Sequence, residues 1–173
     1  MPPVPLFLAI DMDEAALLRQ LADQNAIAEL LYRYCRAVDR IDDVLGKSVF
    51  HDQATADYGE FYQGSGHGVI EAVCASHRAA VATSHQVTNI LFNLGAERAS
   101  TEAYHHAVIR LAGEGKLMQI TIWGRYIDSW SRRDGRWGID HRRVLRDLDT
   151  IAEVTPLATG TPHRDQSCPS YAA

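Results

Sequence analysis

HQVTNILFNLGAERASTEAYHHAVIRLAGEGKLMQITIWGRYIDSWSRRDGRWGIDHRRVLRDL, residues His85 to Leu148, is the stretch whose reading decides the fold. It holds four runs in which apolar and polar residues alternate, the period of a half-buried strand. The runs are broken at LGAER (94–98), AGEGK (112–116) and RRDGR (132–136), each with hairpin-type turn chemistry. The spacing therefore predicts an antiparallel meander.

Upstream the period is that of a helix. From Asp13 onward Leu17, Leu18 and Leu21 mark one face. After DQN, a second helix places Ile27, Leu30, Leu31, Tyr34 and Val38 on one stripe and ends near DRIDD. Val44 to Phe50 reads as a short helix, and ATADYGEFYQGSG as a strand entering a glycine turn. GVIEAVCASHRAAVAT is helical again, with Val69, Val73, Ala80 and Val81 stacked on one side. Helices followed by a meander imply an α+β domain in which helices pack on one face of a curved sheet. That domain is expected over residues 13–150. Residues 1–12 form a proline-broken lead-in, and residues 151–173 a Pro/Ser/Thr-rich tail, expected as an arm on a neighbouring subunit or partly disordered.

Composition excludes several classes. At 173 residues, 46% of them hydrophobic and 23% charged, the chain has the make-up of one ordinary globular domain. A formal charge of −5 argues against a nucleic-acid partner. Arginines crowd the last third, but Asp128, Asp134, Asp140 and Asp147 interleave with them and predict a solvated mixed-charge sheet. Three cysteines without metal-ligand spacing favour a reducing, cytoplasmic setting, with Cys35 and Cys74 as core fillers. The N-terminal apolar run lacks a basic region and a cleavage site, and no stretch is long enough to span a membrane. GSGHG (64–68) lacks the lysine and preceding strand of a phosphate loop.

A sheet curled around helices leaves a pocket at its open end, and strand parity decides what faces it. Along 99–109 one parity reads Ala, Thr, Ala, His, Ala, Ile, so His105 points inward and His106 outward. On the last strand Arg142 and Val144 share a face. An inward arginine requires an anion, and the candidate is Asp39, at the edge of the Ile27–Val38 stripe. With His85 at the mouth of the first long strand, the expected constellation is Tyr34, Asp39, His85, His105 and Arg142. A carboxylate beside an imidazole makes a general base, a phenol can donate to an oxygen, and a guanidinium can hold negative charge. No metal site follows from these spacings.

The segments YCRAVDR, SHQVTN and GRYIDSWSRRDGRWGIDHRRV together resemble the SnoaL-like branch of the nuclear transport factor 2-like superfamily, over roughly Leu17 to Leu148. The resemblance implies a cone-shaped, mostly antiparallel sheet wrapped around N-terminal helices, an α+β barrel of the cystatin-like kind. Similarity to its gamma-hexachlorocyclohexane dehydrochlorinase, bile-acid 7-alpha-dehydratase and scytalone dehydratase members implies a cofactor-free lyase, with a role in the catabolism of small cyclic or aromatic molecules. It implies catalytic roles for His85, Asp39, Tyr34 and Arg142, and substrate contacts from His105, Asn89 and Val144. A dehydrochlorinase lysine would fall on Tyr34, where this chain departs. The family also contains isomerases and polyketide cyclases with the same base, and non-catalytic small subunits of ring-hydroxylating dioxygenases. A homotrimer, assembled through a sheet face bearing Tyr104, Val108 and, on the third strand, Ile120 and Ile122 or their alternates, is the expected assembly.

Overall fold

A computed structural model describes residues 13–156, 163–165 and 167–172. The expected lead-in thus lies outside the described residues. Helix α1 runs Glu14–Arg40 without interruption, so the two helices expected on either side of DQN are one. Nothing in Asp-Gln-Asn breaks a helix, and the buried stripe Ile27, Leu31, Tyr34 and Val38 continues the same periodicity. The Asp13 side chain caps the start by accepting from the Ala15 N–H, and Ile41 ends the helix in a left-handed conformation at φ 55°. Leu17, Leu18 and Leu21, expected to mark one face, lie on the first turns of α1 and are exposed.

A short helix α2 (Asp43–Ser48) leads into strand β1 (Phe50–Asp57), the brief β2 (Gln63–Ser65) and helix α3 (Gly66–Arg78). Helix α3 stops at Arg78, so Val81, expected on its stripe, is exposed. The four expected strands follow: β3 (Ala82–Leu94), β4 (Arg98–Gly113), β5 (Lys116–Arg133) and β6 (Arg136–Glu153). Their turns fall where the sequence placed them. Asp134 and Gly135 sit at φ 52° and 75°, the left-handed pair that a two-residue hairpin turn requires.

The sheet order is β2-β1-β6-β5-β4-β3. All neighbours are antiparallel except β1 and β6, which are parallel. The sheet is curved but open, because β2 and β3 are its two edges and do not pair with each other. It is therefore not a barrel, contrary to the expectation. Helix α1 lies across β3 and α3 against β1 on the inner face, and the core forms where they meet Phe50, Tyr126, Trp130, Trp137 and Ile139.

Strand parity places His105 inward, buried, and His106 outward beside Trp123. On β5 the alternates, not Ile120 and Ile122, share the outer face. Val108 pairs with Thr121 and His106 with Trp123, so Thr121 and Trp123 share the face of Tyr104, while Ile120 and Ile122 lie on the opposite face.

Asp128 is a second correction. It is fully buried together with Arg142, whereas other charges of this stretch stay near the surface in pairs such as Arg125–Asp147 and Arg146–Asp149. Parity explains this: Asp128 faces Thr101 and Arg142 on its neighbours, both inward residues.

Described residues of the tail contact the body of their own chain. Arg164 donates to the Ala80 and His77 carbonyls, and Tyr171 donates to Asp42 while its ring lies 4.3 Å below the Arg36 guanidinium. The described tail residues thus pack on their own chain.

Candidate active site

Asp39 occupies the last turn of α1, and the start of β3 runs beside it. The two meet through a double contact. The His85 backbone N–H donates to Asp39 Oδ2 at 2.8 Å, and its ring Nδ1 lies 2.7 Å from Oδ1. Strand and side chain therefore both hold the carboxylate, which fixes the ring's orientation as well as its tautomer. Burial alone would raise the Asp39 pKa. The hydrogen bond and charge of His85, its backbone N–H and the Thr83 hydroxyl outweigh burial and hold the carboxyl below its usual range.

With Nδ1 engaged, Nε2 of His85 has no hydrogen-bond partner among the described residues. The residue lines a cleft of about 580 Å³ together with Cys35, Arg36, Asp39, Val87 and Ser170. One wall is α1, another is β3, and the docked tail supplies the third through Ser170, whose carbonyl accepts from Arg36.

Arg142 does not meet Asp39. It forms a bidentate pair with Asp128, both bonds 2.7 Å, and both side chains are wholly buried. Its guanidinium lies against the rings of both Tyr34 and Tyr126, 4.3 and 4.2 Å from their centroids. The Tyr34 hydroxyl is 2.9 Å from that of Tyr58, and burial raises the pKa of both phenols, keeping them as donors. Tyr58, Tyr126 and Asp128 are the members that sequence reasoning missed. The parity rule that turned His105 inward could have found Asp128. Tyr58 lies in the loop after β1, where no periodicity speaks.

His105 joins the same interior. It stacks on Tyr126 with centroids 4.3 Å apart and planes 8° from parallel, and both of its ring nitrogens are buried without a hydrogen-bond partner among the described residues. Burial, with smaller contributions from His85 and Arg142, pushes its pKa down to about 4, so the ring is neutral near pH 7. A Cβ on Gly124 would stand 2.6 Å from His105 Nε2 and 2.1 Å from the Leu145 carbonyl oxygen, so only glycine fits there. Since β4 pairs Val87 with His105 and His85 with Ala107, the two histidines are diagonal neighbours on the inner face. Val144 is half-buried opposite Tyr126, on the interior side. Asn89 is not brought to the dyad: it is exposed at φ 50° in the bulge that shifts the register of β3 between Thr88 and Leu91. Among the described residues no group of three or more His, Cys, Asp or Glu side chains is placed to hold a metal ion. Cys35 and Cys74 are buried, and burial raises both thiols to about 12.

The model of the SnoaL-like domain matches residues 19–143, most of the chain and all of the elements that carry the dyad. The chain belongs to the SnoaL-like family. Solved structures of similar fold agree with that placement. A candidate scytalone dehydratase from Novosphingobium aromaticivorans is 17% identical, with a TM-score of 0.70 over 83% of this chain and 99% of that one. The LinA-type3 hexachlorocyclohexane dehydrochlorinase of Novosphingobium barchaimii is 19% identical, also at 0.70, over 83% and 99%. The Kfla4162 protein of Kribbella flavida is 22% identical at 0.68, over 76% and 95%. At these identities the likeness shows that the SnoaL-like chain shares their fold. No curated protein matches it by sequence. No helix among the described residues is long and apolar enough to cross a membrane.

Proposed function

We propose that this chain is a cofactor-free lyase acting on a small cyclic or aromatic molecule, with His85 as general base. The observation that carries the reading is the Asp39–His85 contact at the wall of a cleft, with one imidazole nitrogen held and the other unpartnered among the described residues. In the elimination, His85 Nε2 takes a proton from a substrate carbon. The C–H electron pair becomes the new double bond, and the bond from the adjacent carbon to oxygen breaks. Asp39 accepts the Nδ1–H and stabilises the imidazolium that forms. The leaving oxygen departs as hydroxide and needs a donor to become water. Tyr34, held by Tyr58 and lying over Arg142, supports that role, as does the neutral His105. Arg142, neutralised by Asp128, acts on the tyrosines rather than on Asp39. It keeps a positive charge against two phenol rings without offering a net charge to the substrate. Val144 shapes the interior beside Tyr126.

The fold likeness to a dehydrochlorinase and a candidate dehydratase supports elimination chemistry. The test is turnover on a panel of cyclic alcohols and hydroxylated aryl compounds, with product analysis to separate loss of water from isomerisation. His85→Ala should lower turnover at least about a hundredfold, and Asp39→Asn nearly as much. Full activity in His85→Ala would end the reading.

A further inference from the structure

Helix α1 leaves one carbonyl of its last turn without the usual partner. At a helix end the final carbonyls have no N–H four residues on, and they must be met some other way. Here Ala37 O accepts twice, from the N–H of Ile41 and that of Asp42 at 2.9 Å. The second of these is the N–H that regular helix geometry would have delivered to Val38 O. The left-handed turn at Ile41 redirects it. Val38 is fully buried, so water does not make up the loss.

His77 does. From the last turn of α3 its Nδ1 reaches Val38 O at 2.9 Å, and because a carbonyl only accepts, Nδ1 must carry the proton. The ring is 4% exposed, and its centroid is 5.1 Å from that of His85, the planes tilted by 36°. Burial, joined by the nearby His85 and Arg164 and opposed by the bond to the Val38 carbonyl and by Asp39, pushes the His77 pKa down to about 4. Near pH 7 the ring is therefore neutral, and a proton gained by His85 meets no like charge beside it.

We infer that His77 is a positioning residue for the Asp39–His85 dyad, closing the last turn of α1 at Val38 so that the next residue, Asp39, is held at the start of β3. The inference rests on the proposed role of His85. It adds a requirement that the dyad's own residues do not show: a donor on a different helix must fix the peptide from which the carboxylate hangs. The Arg164 side chain of the docked tail, which donates to the His77 carbonyl, ties the same turn of α3 from its other side.

Two substitutions separate the donor from the ring. His77→Asn removes the ring but keeps an N–H where Nδ1 stood, whereas His77→Ala removes both. Proton NMR of the full chain with ¹⁵N-labelled histidine follows the His85 Nδ1–H, which resonates far downfield when donated to a carboxylate and is assigned by its loss in Asp39→Asn. In wild type and His77→Asn the proton should be slow to exchange. In His77→Ala its exchange should quicken at least about tenfold, with kcat about tenfold lower and KM little changed. If Asn and Ala behave alike, the donor is irrelevant and the inference falls. Should His77→Ala not fold, the comparison passes to His77→Ser, which also lacks a donor with that reach. Full activity in His85→Ala would overturn the base and leave the NMR result intact, so the two failures are distinguishable.

Discussion

Replacing Asp128 by Asn isolates the central ion pair without changing its volume. In the native protein the carboxylate accepts two 2.7 Å bonds from Arg142, and neither side chain touches solvent. The amide can accept one such bond, and its NH₂ group opposes the guanidinium. Arginine does not release its proton, so an uncompensated cation remains in the core. Breaking a buried pair in this way costs about 3–5 kcal/mol. The rings of Tyr34 and Tyr126 remain against the guanidinium and soften the loss, which places the expectation near the lower figure, about 3 kcal/mol. For a domain of this size about 1 kcal/mol moves Tm by about 2–4 °C, so Asp128→Asn should lower it by about 6–12 °C. Trp130, buried and bonded through Nε1 to Thr101, reports the transition by fluorescence. The double variant Asp128→Leu/Arg142→Met removes both charges and should recover most of the loss. A drop below about 2 °C in the single variant, or a double variant worse than the single, would refute the view that the pair is mutually dependent.

Stability should fall as pH drops from about 6.5 toward 4. His77 and His105 are neutral in the folded state, with pKa values lowered to about 4, and the unfolded chain protonates both from about 6.5 downward, binding up to about two more protons across that window. Urea midpoints measured across it should flatten in His77→Asn. The depressed Asp39 carboxyl contributes stability present above its unfolded pKa and lost as pH falls through the lower folded value, so Asp39→Asn should flatten the most acidic limb. Gly124→Ala should destabilise by about 1–3 kcal/mol and alter the His105 ring signals, because the added methyl meets the Leu145 carbonyl; a neutral result would mean that the strand yields there. Combining His85→Ala with Asp39→Asn should cost hardly more than either alone, and a multiplicative loss in turnover would show that they do not act as a unit. Exposed Tyr104, Trp123, Leu148 and Ile151 predict an assembly larger than the monomer by light scattering, and monomer alone at micromolar concentration would disprove it.

What the sequence disclosed follows from how local each signal is. The meander and its turns were legible because alternation and Asp-Gly chemistry act over a few residues. The same parity turned His105 inward, and the Tyr34–Val38 stripe brought Asp39 to the edge of the core. Three features were not legible for one reason: they depend on which elements are neighbours in space. Arg142 was inward by parity, yet nothing along the chain says that Asp128, on β5, stands beside it and Asp39 does not. The open edges at β2 and β3 are a property of sheet order, so residue pattern alone could not separate a barrel from a curved sheet. His77 looked like an ordinary histidine on a helix, because its importance lies in a carbonyl thirty-nine residues earlier that only the left-handed turn at Ile41 leaves open.

The parallel contact between β1 and β6 also sets a timetable for the growing chain. It joins residues 50–57 to 139–143, and Phe50 and Ile139 face each other across it. A ribosome releases β1 long before β6 exists, so one edge of β1 emerges with nothing to pair with. The hairpins β3–β4, β4–β5 and β5–β6 close over short stretches and can form as they appear, whereas the β1–β6 seam must wait for nearly the whole domain. Truncated nascent chains ending before residue 136 should therefore bind chaperones and resist no protease. Extension past residue 143, once clear of the exit tunnel, should confer protection in a single step.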